Sequence, residues 1–139
     1  MEGKIQLNQI DQRRLEAASC WLELGDWHSA NEELAQIESW MRAHPDVLKM
    51  RVAIYCAVRR FDAAAKVSDR LAAAVPKDAE FWLNRAVALC QLARWHEARA
   101  AILTCFILEP DLQVAALDNP DLAPLWRLPP AAATSCCSP

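Results

Sequence analysis

The sequence predicts an all-α protein made of three helical hairpins, and three observations support this prediction. First, glycine is almost absent, since only Gly3 and Gly25 occur, and a chain dominated by alanine and leucine favours helix. Second, a pattern of apolar residues recurs every 34 residues. Third, each interval contains two runs of apolar residues at helical spacing, separated by a short break.

Aromatic residues and prolines mark the 34-residue interval. Trp27, Phe61 and Trp95 are each separated by 34 positions, and so are Pro76 and Pro110. Such a period predicts one supersecondary unit that is repeated three times. Other positions keep their size and polarity at the same spacing, in the sets Ala18, Val52 and Ala86; Trp21, Tyr55 and Leu89; Ala30, Ala64 and Ala98; and Ile37, Leu71 and Cys105.

Each repeat is predicted to contain two helices of about 13–15 residues joined by a tight turn. The alanine at the start of the second helix lets the two backbones approach closely, and the aromatic residue before it fills the turn. A proline ends the hairpin because it cannot continue a helix and disfavours helical geometry in the preceding residue.

The repeats resemble the tetratricopeptide repeat, and the resemblance covers about residues 11–112. The first copy departs from the family, since Arg42 stands at the proline position and the proline follows as Pro45, so we expect its second helix to continue through Trp40. The matching residues are Trp82, Ala86, Leu89, Ala98, Ile102 and Pro110 in the third copy; Leu48, Val52, Tyr55, Ala64, Leu71 and Pro76 in the second; and Ala18, Trp21, Gly25, Trp27 and Ala30 in the first.

The resemblance implies a right-handed α-α superhelical solenoid of three hairpins with a C-terminal cap. The predicted boundaries are an N-terminal extension at 1–10, one domain at 11–128 with repeats at 11–44, 45–78 and 79–112 and a cap at 113–128, and a flexible tail at 129–139. Met1 to Asn8 are expected to be frayed. The residues expected to cover the last hairpin are Leu112, Val114, Ala115, Leu117, Leu122, Leu125 and Trp126.

Charge and hydropathy argue against several classes of protein. A formal net charge of −3 argues against general affinity for nucleic acid, which requires a basic face. The first residues lack the apolar run of a secretory signal, and no apolar stretch has the length of a membrane span. We therefore expect a cytoplasmic protein that binds neither nucleic acid nor membrane. The cysteines that fall within the helical patterns, Cys20, Cys56, Cys90 and Cys105, are expected to be reduced and buried.

The cysteines indicate neither a disulfide nor a metal site. Cys56 and Cys90 share a repeat position on neighbouring helices, whose axes pack about 8–10 Å apart. A disulfide requires Cα atoms within about 7 Å, so a bridge would distort the helices. No cysteine or histidine pair has the spacing of a zinc finger. Cys136 and Cys137 lie in the predicted tail, where no metal geometry is preorganised, and the ending CCSP is not a prenylation signal.

No catalytic motif is present, because two glycines cannot form a glycine-rich phosphate loop and no nucleophile elbow occurs. We predict that the protein is not an enzyme and uses no cofactor or metal. The tryptophans could suggest an aromatic ligand cage, but four of them fall on repeat positions that predict core packing: Trp21, Trp27, Trp82 and Trp95. Trp40 and Trp126 lie outside the register, and exposure of either would indicate a second contact surface.

In the tetratricopeptide family, the first helices of successive hairpins line a concave groove that binds extended peptides or partner helices. The alternative is that these residues only form the solvated face of a repeat array. The matching positions, and hence the predicted lining, are Gln12, Leu15, Glu16, Ser19, Leu22 and Glu23; then Asp46, Lys49, Met50, Ala53, Cys56 and Ala57; and finally Glu80, Leu83, Asn84, Val87, Cys90 and Gln91.

The predicted lining does not match a carboxylate clamp. Family members that hold the C-terminal carboxylate of chaperones use lysine, asparagine and arginine, and the corresponding residues here are Leu15, Ser19, Met50, Glu80 and Asn84. Since Glu80 would repel a carboxylate, we do not expect capture of that kind. Apolar residues with acids at the rim suit an apolar or amphipathic partner segment that carries some positive charge.

These features predict a non-catalytic protein–protein interaction module that binds a peptide or partner helix in its concave groove. Adaptor, scaffold or chaperone-like work belongs to this class, and small bacterial secretion chaperones have a similar number of repeats. The alternative is a structural subunit that self-associates, as a homodimer or larger assembly, through its cap or an exposed end.

Overall fold

The computed structural model describes residues 7–37, 41, 43–74 and 77–127, and it contains helices and no strand within these ranges. The prediction of an all-α protein is confirmed. None of the described helices is long and apolar enough to cross a membrane. The helices are α1 (Gln9–Glu23), α2 (Trp27–Ala35), α3 (Pro45–Ala57), α4 (Phe61–Ala72), α5 (Ala79–Gln91), α6 (Trp95–Leu108), α7 (Leu112–Leu117) and α8 (Ala123–Arg127), with a 3-10 turn at Pro120–Leu122 between the last two.

The first six helices pair in chain order as hairpins. Helix α1 packs most extensively on α2, α3 on α4, and α5 on α6. Between hairpins, α3 contacts both α1 and α5, while α2 packs on α3 and α4 packs on α5. The first helices of the three hairpins are therefore side by side, with α3 in the middle.

The same backbone turn closes each hairpin. Gly25, Arg59 and Ala93 have φ angles of 83°, 62° and 61°, in the left-handed region. The residue after each of them donates its backbone N–H to the carbonyl five residues earlier, at 2.8–2.9 Å. These bonds satisfy carbonyl groups at the end of the first helix, as in a Schellman motif. The turns recur at the 34-residue interval, although only the first has the glycine that this conformation favours.

Side-chain caps begin the first helix of each hairpin. Asn8 Oδ1 accepts from the N–H of Asp11 at 2.7 Å, His44 Nδ1 from that of Asp46 at 3.1 Å, and Asp78 Oδ1 from that of Glu80 at 3.0 Å. The expectation that Met1 to Asn8 are frayed is therefore wrong for Asn8, since Asn8 caps α1. Leu7 beside it is also buried in the core.

Helix α2 is shorter than predicted. The sequence predicts that it continues through Trp40, but it ends at Ala35. The N–H groups of Gln36 and Ile37 bond to carbonyls three residues back, at 3.1 Å each, and Ile37 and Met41 are buried in the core. These residues and Leu34 are at helical spacing, so the apolar pattern favours a longer helix than the one that forms. Trp40 itself lies outside the described residues, as does Pro76.

Buried apolar side chains form two clusters. The larger, here the central core, joins α3 to α6 and the C-terminal segment, from Val52 to Leu125. The alanines Ala64 and Ala98, which begin second helices, are fully buried in it. The smaller, here the N-terminal core, consists of Leu7, Ala18, Ala30, Leu34, Ile37, Met41, Val47 and Ile54. Helix α3 contributes to both, so it connects the first hairpin to the rest.

The C-terminal segment covers only part of the last hairpin. Leu122 and Leu125 are buried as predicted, and Leu112 is half-buried. Val114 and Leu117 remain exposed, because α7 is a single short helix that turns only Ala116 inward. The prediction that this apolar set covers the hairpin is therefore confirmed for Leu112, Leu122 and Leu125. It is wrong for the exposed residues, which are Val114, Ala115, Leu117 and Trp126.

The four repeat-register tryptophans have different environments. Trp82 is buried, and Trp95 is half-buried. Trp21 and Trp27, in contrast, are 37% and 48% exposed, so the core-packing prediction is wrong for them. The first hairpin packs mainly on α3, and both tryptophans lie on parts of it that the described chain leaves exposed.

Candidate functional site

Two adjoining depressions lie over the side-by-side helices α1, α3 and α5. One has a volume of about 260 Å³ and the other of about 450 Å³. They share the side chains of Met50, Ala53, Glu80 and Asn84. Since the shared residues join them, the two depressions form one surface feature, here called the groove.

The groove is lined by most of the residues predicted for it. Three apolar side chains from its three helices, Leu15, Met50 and Leu83, are half-buried and form part of its floor. The predicted residues that line it are Leu15, Ser19, Leu22, Glu23, Asp46, Lys49, Met50, Ala53, Cys56, Ala57, Glu80, Leu83, Asn84 and Val87.

Four predicted residues do not line the groove. Gln12 and Glu16 are exposed on α1 outside both depressions. Cys90 is buried, and Gln91 donates from Nε2 to the backbone carbonyl of Asp121 at 2.7 Å. The 3-10 turn thus lies against the last turn of α5, so that Cys90 is covered and Gln91 serves as an attachment point for the C-terminal segment.

Four lining residues were not predicted: Asp78, Phe81, Asn119 and Asp121. Asp78 could have been found, because it is 34 residues after His44 and caps the equivalent helix. Asn119 and Asp121 have no counterpart in the repeats. Asn-Pro-Asp is a turn signal, which predicts the 3-10 turn but not its place against the groove.

Asp121 is held at the end of the groove by three hydrogen bonds. Its N–H bonds to Asn119 Oδ1 at 2.9 Å, and its carbonyl accepts from Gln91. Its carboxylate Oδ1 accepts from Arg59 Nη2 at 3.3 Å, and the Arg59 guanidinium also lies 5.0 Å from the centre of the Phe61 ring. The C-terminal segment therefore forms a fixed wall at this end.

Carboxylates dominate the charged lining. Lys49 is the one cation that lines the groove among the described residues, and its Nζ lies 3.7 Å from Asp46 Oδ1 and 3.8 Å from Asp78 Oδ2. Glu23 and Glu80 form no ion pair with any residue in the described ranges. The acidic lining residues are Glu23, Asp46, Asp78, Glu80 and Asp121. Since one lysine faces five carboxylates, the groove carries net negative charge.

The thiol at the groove is chemically unreactive at neutral pH. Cys56 Sγ donates to the carbonyl oxygen of Asn84 at 3.4 Å. Burial, reinforced by the charge of Asp121, raises the pKa of Cys56 to about 12. Because the thiolate is the nucleophilic form, Cys56 is not suited to covalent chemistry here.

The other cysteines divide by burial. Cys90 and Cys105 are buried, and burial raises the pKa of each thiol. Cys20 is exposed, which corrects the prediction that every cysteine within the helices is buried. Cys20, Cys56, Cys90 and Cys105 are all free thiols. The vicinal pair at 136–137 lies outside the described residues.

Metal-ligating side chains are not clustered in the part of the chain that the structure describes, where no group of three or more His, Cys, Asp or Glu residues could hold an ion. His44 is engaged as the cap of α3, and His28 Nε2 lies 3.3 Å from Glu32 Oε2 on the exposed face of α2. Neither histidine lines the groove, whose floor is apolar and whose rim carries carboxylates.

Comparisons with known proteins add no relative to this picture. No protein-family model, no curated protein and no solved structure matches the chain. The interpretation of the groove therefore depends on its own geometry and charge.

Proposed function

We propose that the chain is a non-catalytic interaction module of the tetratricopeptide type, which holds a peptide or helix of another protein in the groove. In this proposal the three hairpins form a right-handed solenoid, and the C-terminal segment is its cap. Recurrence of the left-handed turn at Gly25, Arg59 and Ala93 supports a repeated unit. The side-by-side order of α1, α3 and α5 supports a concave face made of first helices.

The observation that carries the proposal is the groove itself, which crosses all three hairpins. Its half-buried apolar side chains would gain contacts and lose water when covered, and each Å² of apolar area removed from water contributes roughly 25 cal/mol. Met50 lines both depressions, and a methionine side chain adapts to partners of different shape. Such a surface can hold the apolar face of an extended or helical segment.

Substitution Ala53→Trp tests the proposal, because Ala53 lines both depressions and an indole would fill them without a change of charge. The matched control is Ala100→Trp, which places the same side chain at an exposed position of α6. Affinity capture from an extract of the source cells would be run with wild type and both variants, after circular dichroism shows equal helicity. We expect the proteins held by wild type and Ala100→Trp to be lost with Ala53→Trp; retention of all of them would contradict the assignment.

A second candidate function is self-association through the C-terminal end of the fold. The observation that favours it is the exposure of large apolar side chains on α6 and α7, with Ile107 at 80% and Val114 at 70%. Trp126 in α8 is also partly exposed. Sedimentation velocity over a hundredfold dilution tests this candidate. A dimer that Ile107→Glu or Trp126→Ala dissociates would support it, and a monomer at every concentration would contradict it.

A further inference from the structure

We infer that the segment held in the groove is cationic and amphipathic, and that Asp121 of the C-terminal segment, together with Glu23 and Glu80, determines this specificity. The inference rests on the proposed function, since it names the chemistry of the partner for the same groove. It adds a determinant that the repeats do not contain, because Asp121 comes from outside all three hairpins.

The larger depression is where uncompensated negative charge collects. Glu23, Glu80 and Asp121 all line it. Of the three, Asp121 alone has an ion pair within the described ranges, with Arg59 at 3.3 Å. The Arg59 side chain is largely exposed and that of Asp121 partly so, and solvent therefore screens and weakens the pair. Asp121 can still interact with a second cation.

Helix ends add to this negative potential. Helices α1, α3 and α5 end at Glu23, Ala57 and Gln91, and none of the three has a basic residue in its last turn. The C-terminus of a helix carries partial negative charge, equivalent to roughly half an elementary charge. Glu23 in the last turn of α1 is therefore at an unfavourable end of its helix. A cation from a partner would relieve this repulsion.

The charge of Asp121 reaches the interior of the groove. After burial, it is the second cause that raises the pKa of the Cys56 thiol, which lines the same depression. The hydrogen bonds from Gln91 and to Asn119 hold the backbone of Asp121 against the end of the groove, so its side chain starts from a fixed position there.

These features select one kind of occupant. Three neighbouring helix axes span about 16–20 Å, a distance covered by about six extended residues or about 14 helical ones. Apolar side chains of such a segment would lie on the floor around Met50 and Leu83, with a lysine or arginine facing Glu80 and Asp121. An acidic segment would bring carboxylates against carboxylates in a partly dehydrated groove, which is unfavourable.

Two designed peptides test the inference. Both have 14 residues and the same leucine face, and they differ only in carrying lysine or glutamate on the polar face. Fluorescence anisotropy gives their affinities, and amide chemical shifts of the labelled protein show where they bind. We expect the lysine peptide to shift resonances of groove residues and to bind at least tenfold more tightly than the glutamate peptide, with a difference that decreases as salt is added.

Charge variants locate the effect. Glu80→Gln and Asp121→Asn should each weaken the lysine peptide three- to tenfold and leave the glutamate peptide unchanged or slightly tighter. Asp121→Asn keeps the backbone carbonyl that Gln91 binds, so the wall stays in place. The control is Asp62→Asn, which removes one exposed carboxylate from the first turn of α4, outside the groove, and should change affinity less than twofold.

The outcomes separate the inference from the proposed function. If both peptides bind the groove with similar affinity, or if Asp62→Asn weakens the lysine peptide as much as Glu80→Gln, the charge specificity is overturned while groove binding stands. If neither peptide shifts groove resonances, or if Ala53→Trp leaves the binding of both unchanged, groove binding fails as well. Loss on Ala53→Trp together with selective loss on the two charge variants supports both.

Discussion

The first and third hairpins occupy equivalent places in the 34-residue period but differ in how completely they are covered. Trp21 in the first hairpin is 37% exposed, whereas Leu89, at the same repeat position in the third, is fully buried. The third hairpin packs against α4 and against the C-terminal segment, while the first hairpin packs mainly on α3. Equal sequence positions therefore acquire unequal environments from their neighbours.

The two hairpins also differ in the cores that hold them. The third belongs to the central core, which extends from Val52 to Leu125. The first belongs to the smaller N-terminal core, and its second helix, Trp27–Ala35, has 9 residues where Trp95–Leu108 has 14. Because local stability follows buried apolar contact, we expect the first hairpin to open more readily than the third.

The largest expected effect comes from truncating one repeat position in each hairpin. Leu89→Ala should lower the free energy of unfolding by about 2–5 kcal/mol, because it leaves a cavity in the central core. Trp21→Ala should cost less, about 2 kcal/mol at most, since the indole is partly exposed and its Nε1 bond to Glu33, at 3.4 Å, is long. Urea unfolding followed by circular dichroism measures both values. Equal losses would show that the two hairpins are covered to the same extent.

A smaller effect is expected at the turns that close the hairpins. Ala93→Gly should raise the free energy of unfolding by about 0.5–1 kcal/mol, because glycine removes the strain of a left-handed alanine at the cost of some unfolded-chain entropy. Gly25→Ala should lower it by a similar amount, through backbone strain alone, since an added Cβ would meet nothing within 4 Å. Thermal melts of both single variants check the signs. Two changes of the same sign would contradict a shared turn geometry.

The smallest expected effect is on the free energy of unfolding at acidic pH. Asp69 accepts from Arg85 at 2.7 Å and from Arg94 at 3.4 Å, so it ties α4 to the third hairpin. Partial burial acts to raise the pKa of Asp69, but the bonds and charges of the two arginines outweigh it, and the pKa is lowered. A lowered folded-state pKa means that the stabilisation is present above the ordinary value, near 4, and is lost as pH falls through the folded value.

The fall in stability between about pH 5 and pH 3 should therefore be shallower in Asp69→Asn than in wild type. The difference should stay below about 1 kcal/mol, because the carboxylate is partly exposed and solvent screens the pair. Chemical denaturation at half-unit pH steps measures it, with Asp62→Asn as the control for loss of an unpaired surface carboxylate. If the free energy of unfolding changes with pH in the same way in wild type and Asp69→Asn, Asp69 does not contribute to the stability of the third hairpin.

Much of the fold could be predicted from local signals. The starts of second helices at Trp27, Phe61 and Trp95 agree with the aromatic positions of the period. The end of α2 could not be predicted in the same way. Leu34, Ile37 and Met41 continue the helical spacing past Ala35, so the apolar pattern predicts a longer helix than the structure has.

The groove, like the helices, could be predicted only in part. Its apolar floor and most of its acids, such as Met50 and Glu80, follow from positions that the family resemblance supplies. Asp121 does not, because its place depends on contacts with Arg59 and Gln91, which are 62 and 30 residues away in the chain. The same contacts cover Cys90, which the sequence places in the groove and the structure places in the core.

By itself, the sequence determined the helices, their period and the turns between them. Helical periodicity, helix caps and the hydrogen bonds of the turns each involve residues only a few positions apart. A short stretch of sequence is therefore enough to predict them. Only the tertiary structure decided which hairpin is left open and which end of the groove is walled. Whether a residue is buried depends on elements that are distant from it in sequence. Similar side chains at equivalent repeat positions therefore do not show whether another element covers them.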